Sequence, residues 1–196
     1  MSIWKLITGR WGSGDGEVDD VRIDSSTNSL QTVDYEHHEI HSGSHYFVVG
    51  YQDLANGNVL DFTWQMPDTT KYIHWTWKIT TESETLYQVY ENVIATNPLT
   101  AITPLNSNRN SGNTSDTTMK FDLHANLTAA NADTDVSGGT LIASGISGAG
   151  KDAGAAARSH EIILDRNILY CLRATASSAG YVNFEMQWYE HVDKHP

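Results

Sequence analysis

Along most of the chain, apolar and polar positions alternate with a period of two. Ile73, Trp75, Trp77 and Ile79 alternate with Tyr72, His74, Thr76 and Lys78, and Val182, Phe184, Met186 and Trp188 alternate with Tyr181, Asn183, Glu185 and Gln187. Successive side chains of a strand point to opposite faces, so each run predicts a strand with one face on a core and one in water. Leu60, Phe62 and Trp64 repeat the pattern behind the turn dipeptide Asn56-Gly57. Further strands are expected at 45–52, 85–91, 117–124, 160–165 and 168–176, with a shorter one at 140–144. No long helical periodicity is present. Nine or so strands of this kind predict an all-β protein: a single antiparallel β-sandwich, jelly-roll-like because the count is right and several loops are long.

Residues 1–35 break the pattern. They carry Trp4 and Trp11, a glycine-rich turn Gly12–Gly16 and the acidic run Glu17, Asp19, Asp20 and Asp24. This stretch is expected to be an extended N-terminal arm that docks its indoles on its own domain or on a neighbouring subunit, with residues 36–196 forming the sandwich. Two further segments, 97–116 and 145–157, are dominated by small and polar residues and are expected on the outside as loops.

Composition narrows the function classes. The 196 residues carry 12 basic and 24 acidic side chains, a formal charge of −12, which opposes a phosphate backbone and argues against nucleic-acid binding. The one cysteine, Cys171, excludes an internal disulfide and a cysteine-based zinc site, and suits a reducing cytoplasm. It lies in an alternating run and is expected to be a small buried hydrophobe. No apolar run approaches membrane-spanning length and the N-terminus lacks a signal-peptide core, so no membrane partner is expected.

The most conspicuous chemistry is the run His37-His38-Glu39-Ile40-His41, with His45 beyond it. Read as a strand, it puts His37, Glu39 and His41 on one face. Imidazoles and a carboxylate on one face could hold a divalent ion. The helical zinc-protease pattern, however, needs two residues between Glu and the second His, and here there is one. The expectation is a polar, pH-sensitive contact surface and no metal. Gly145–Lys151 matches seven positions of a phosphate-binding loop, but Asp152 replaces the required Ser or Thr, so no nucleotide is expected. No nucleophile elbow is present, and no cofactor is expected. The aromatics Trp64, Trp75, Trp77, Tyr87, Tyr90, Trp188 and Tyr189 could stack sugars, although strand positions favour the core.

Four segments together carry a resemblance: Asp34–Phe47, Pro67-Asp68-Thr69-Thr70-Lys71-Tyr72, Asn108-Arg109-Asn110-Ser111 and Trp188-Tyr189-Glu190-His191. In this order they resemble a group of small virion structural proteins of tailed bacteriophages, associated with the head and capsid. The resemblance spans nearly the whole chain. It implies a non-enzymatic capsid decoration or cement protein on the head exterior, synthesised in the host cytoplasm. Its implied partners are the major capsid protein and its own copies in a homotrimer, and it brings no catalytic residues. The expected interface residues are Trp4, Trp11, His37, His38, Glu39, His41 and His45. The alternative expectation is a carbohydrate-binding, receptor-recognition module of a tail or head fibre.

Overall fold

The computed structural model describes residues 35–96, 100–124, 136–148, 152–153 and 161–192. Trp4 and Trp11, and with them the expected arm, lie outside the described residues. One helix, α1 (Tyr35–Ser42), precedes twelve strands: β1 (His45–Leu54), β2 (Val59–Gln65), β3 (Lys71–Thr81), β4 (Thr85–Ala95), β5 (Thr100–Ile102), β6 (Leu105–Asn106), β7 (Thr118–His124), β8 (Val136–Ser147), β9 (Asp152–Ala153), β10 (Ile162–Leu164), β11 (Leu169–Ala176) and β12 (Gly180–Val192). All nine expected strands are present. The other three, β5, β6 and β9, are short.

Two antiparallel six-stranded sheets pack face to face. The first runs β10-β3-β12-β1-β6, with β9 also on β3; the second runs β5-β7-β2-β11-β4-β8. Take β1, β2, β3, β4, β8, β10, β11 and β12 as strands one to eight. The first sheet then reads six-three-eight-one and the second two-seven-four-five, which is the jelly-roll wiring. The chain is therefore an all-β jelly-roll sandwich, with β6 added beyond β1 and β7-β5 added beyond β2.

The inward faces are the alternating apolar sets seen in the sequence. Trp64, Trp75, Trp77 and Trp188 are each no more than 3 % exposed. Trp75 lies 4.5 Å, centroid to centroid, from both Trp64 and Trp77. These rings form the core, so they offer no exposed platform for sugars, and Tyr189 is buried too. Phe184 lies across Gly50 of the adjacent strand, where an added Cβ would stand 2.5 Å from the ring. That strand position must therefore lack a side chain.

Three segments differ from expectation. Residues 37–41 are helical, because the run has no alternation of apolar positions to bury and a helical stop follows it directly. Gly43 adopts φ +76°, Gly43 N–H donates to Ile40 O at 3.1 Å, and Ser44 N–H donates to Glu39 O at 3.0 Å. This paired bonding closes the helix C-terminus and needs the left-handed glycine. The expected strand at 140–144 extends over Val136–Ser147, because its small residues pair with β4 along its whole length. Gly145–Ser147 therefore belong to an antiparallel strand rather than to a phosphate loop. Within 97–116, β5 and β6 are strands, and β6 pairs Asn106 with Tyr46.

Candidate functional site

The four segments behind the resemblance lie far apart in sequence and meet at one end of the first sheet. Three asparagines fix α1 there through carbonyls at and just past its C-terminal end. Asn106 Nδ2 donates to Gly43 O at 2.9 Å, Asn113 Nδ2 to the same oxygen at 3.2 Å, and Asn108 Nδ2 to His41 O at 3.2 Å. The polar run expected to be a mere loop is thus what holds the helix in place. Beside it, Glu190 N–H donates to Ser44 O at 2.9 Å, and Lys71 Nζ lies 3.8 Å from Glu190 Oε2. A cleft of about 500 Å³ opens between Gly43, Tyr46, Lys71, Asn113 and Glu190.

Within α1 the expected residues divide in a way that no strand face would give. His37 and His41 sit one turn apart and exposed, with their Nε2 atoms at 3.0 Å. His38 points to solvent, its side chain 61 % exposed. Glu39 turns inward and is buried, held by the Ser44 hydroxyl. His45, at the start of β1, is also buried; its Nδ1 is 2.6 Å from Ser107 Oγ and its Nε2 3.6 Å from Glu36 Oε1. The surface available to a partner is therefore His37, His38 and His41, while Glu39 and His45 are internal supports.

Burial pushes the His45 pKa below its ordinary value of 6.5, against the opposing pull of Glu36 and Glu39. The unfolded chain then takes up this proton at a higher pH than the folded one. The stability His45 contributes is full above 6.5 and is lost as pH falls through its lowered pKa. Melting temperature should fall on acidification below about pH 6.5, and His45→Gln should flatten that slope in thermal scans. Equal slopes in the two proteins would show that His45 plays no part.

The sequence reading missed a second cluster on the outer face of the same sheet. Backbone register sets His45, Tyr189 and His74 in a row across β1, β12 and β3. His74 Nδ1 is 2.9 Å from Glu161 Oε1, and Tyr189 Oη is 2.6 and 2.7 Å from the two carboxylate oxygens. His191 Nε2 closes the group at 2.8 Å from His74 Nε2.

The cleft-lining Glu190 belongs to another network. Its carboxylate accepts hydrogen bonds from Ser115 Oγ at 2.5 Å, Thr117 Oγ1 at 3.2 Å, Trp188 Nε1 at 3.0 Å and the Asp116 N–H at 3.1 Å. A carboxylate so fully engaged holds a loop rather than transferring protons. Cys171 is buried as expected, with Sγ 3.6 Å from Asp61 Oδ1.

Comparison with protein-family models, with curated proteins and with solved structures finds no match to this chain.

Proposed function

We propose that the chain is a non-enzymatic structural subunit of a tailed-phage virion. In this reading it is a cement protein that binds the major capsid protein on the outer head surface as a homotrimer. The observation that carries the reading is the convergence just described. The segments on which the resemblance rests build one corner, where an eight-residue polar helix is clamped by side chains and turns three histidines outward. Such a helix adds little to the core, so its fixed position suits display to a partner.

Two further features favour self-association. Strand β8 is the last strand of its sheet, and no described strand pairs with its outer edge. From Ser137 to Ile146 it carries no charged residue and no proline, and such an edge needs a neighbour to cover it. Leu86 and Ile146 are register partners on β4 and β8 and stand 36 and 69 % exposed. The net charge of −12 suits the outside of a shell, away from packaged DNA. Many subunits each bridging capsomers would turn modest contacts into large kinetic stability.

Heads assembled without the protein should bind the added full chain and then resist heating better. The variant H37A/H38A/H41A should bind at least about tenfold more weakly, a loss of about 1.4 kcal/mol. Native mass spectrometry should give a trimer in solution or on the head. A chain that leaves heads unbound and their heat resistance unchanged would end this reading.

The sugar-binding alternative has one specific observation behind it. Tyr51 and Tyr181, 71 and 47 % exposed, meet edge to face on the outer face of the first sheet at 5.9 Å. Tyr51 also lines a shallow groove of about 390 Å³ with Lys78, Asn183 and Glu185. Glycan-array binding that disappears in Y51A/Y181A, with heads left unbound, would favour it.

A further inference from the structure

Between β3 and β12 two imidazoles meet nitrogen to nitrogen, and their surroundings decide what each nitrogen can do. A neutral imidazole has one N–H and one lone pair, placed by the partners of the ring. His74 Nδ1 faces the Glu161 carboxylate at 2.9 Å. Tyr189 Oη, 3.0 Å from the same nitrogen, has its proton directed at that carboxylate. An ionised carboxylate only accepts, so His74 Nδ1 carries the hydrogen and donates it. His191 Nδ1 lies 3.1 Å from the carbonyl oxygen of Val192, so it also donates. Both Nε2 atoms are left with lone pairs and stand 2.8 Å apart, with the ring centroids at 4.7 Å. Two lone pairs at that separation repel unless a cation lies between them.

We propose that His74 and His191 are two ligands of a divalent transition-metal site of the imidazole-binding class (Cu²⁺, Ni²⁺ or Zn²⁺), oriented by Glu161 and Tyr189. Two nitrogens about 2.0–2.1 Å from one ion lie roughly 2.9–3.4 Å apart at square or tetrahedral corners. The pair needs to open by only a few tenths of an ångström to reach that range. A carboxylate on the far nitrogen of a histidine is the usual support of a metal-bound imidazole, fixing its tautomer and raising its basicity. Both ligands stand on paired strands of one sheet, which hold them more exactly than a loop would. Among the described residues no group of three or more His, Cys, Asp or Glu is arranged to hold a metal. Among the described residues none fills the remaining positions, which suit water or a group on a bound partner. The site is open and exchangeable, and copper should bind more tightly than nickel. The exposed pair His37 and His41 has similar spacing, but among the described residues nothing orients its Nδ1 atoms, so it serves as the background to remove.

The test uses the full chain with H37Q/H41Q, titrated with Cu²⁺ alone and read by electron paramagnetic resonance. The expected result is one copper per chain with hyperfine structure from two imidazole nitrogens. Adding His191→Gln should abolish the two-nitrogen pattern. Adding Glu161→Gln should keep it while weakening binding by about 10- to 100-fold. Two results would overturn the proposal. One is copper binding that is unchanged by both substitutions. The other is the absence of stoichiometric binding while nitrogen NMR shows His74 and His191 titrating together around one shared proton.

Discussion

Arg173→Ala should destabilise the domain by about 3–5 kcal/mol, a large fraction of the stability of a chain this size. Asp61 is fully buried on the outward side of β2. It receives a two-pronged salt bridge from Arg173 on β11, with Nε to Oδ1 at 2.8 Å and Nη2 to Oδ2 at 2.7 Å. Removing the guanidinium takes both charge-assisted donors from a carboxylate that water cannot reach. It also takes the 3.0 Å bond from Nη2 to Val136 O, which fastens the start of β8. Isolated surface pairs are worth far less, so burial sets the size of the effect. The control is the apolar replacement D61L/R173M, which removes the charges together and should return stability close to the starting protein or above it. Urea unfolding of the three proteins measures this directly. A loss below about 1 kcal/mol in R173A would mean that Asp61 is solvated after all.

The part of the fold legible in the sequence was the part with a period. Trp75, Trp77 and Ile79, or Phe184, Met186 and Trp188, declare their inward face by alternation, and every strand read that way exists. Alternation gives a face and no neighbour. Nothing in the pattern says that β12 lies between β1 and β3, or that its register puts Tyr189 opposite His74. The cluster around His74 and His191, residues 117 apart in sequence, depends wholly on that register. The helix α1 was illegible for a different reason. Its buried side chain is Glu39, an acidic residue that no hydropathy pattern assigns to an interior, and the groups that hold the helix end come from Asn106, Asn108 and Asn113. The local signal that could have found it was the stop, Gly43 directly after a run without β-alternation, with Glu36 in the first turn. The pattern ends β8 early because the small residues from Gly145 onward read as a loop. Gly145 pairs with Tyr87 of β4, and that pairing carries the strand on to Ser147.

Glu190→Ala should cost about 3 kcal/mol, because it leaves buried donors without their acceptor. The Trp188 indole, the Ser115 and Thr117 hydroxyls and the Asp116 amide all converge on this one carboxylate, which is 1 % exposed. Glu190→Gln should lose less, since its amide oxygen still accepts while its NH₂ meets donors. The neighbouring Tyr46 phenol provides a second readout. Its pKa is pushed up to about 12, first by burial and then by the charges of Glu190 and Asp116. Neutralising Glu190 removes one of those charges, so Tyr46 should ionise at lower pH in the Gln variant, though still above 10, because burial remains. A raised phenol pKa contributes stability that is complete below the unfolded value of 10 and is lost as pH rises through about 12. The part of the alkaline stability loss that comes from Tyr46 should therefore be smaller in Glu190→Gln, because the gap between the folded and unfolded phenol narrows, and tyrosinate absorbance against a Tyr46→Phe control isolates the residue. The damage should also spread to α1. The loop that Glu190 holds at 115–117 continues from Asn113, one of the two asparagines that donate to Gly43 O. Hydrogen exchange at Gly43 and Ser44 should accelerate in Glu190→Ala even where the strands stay protected. Unchanged protection at those two amides would show that the carboxylate does not support the helix.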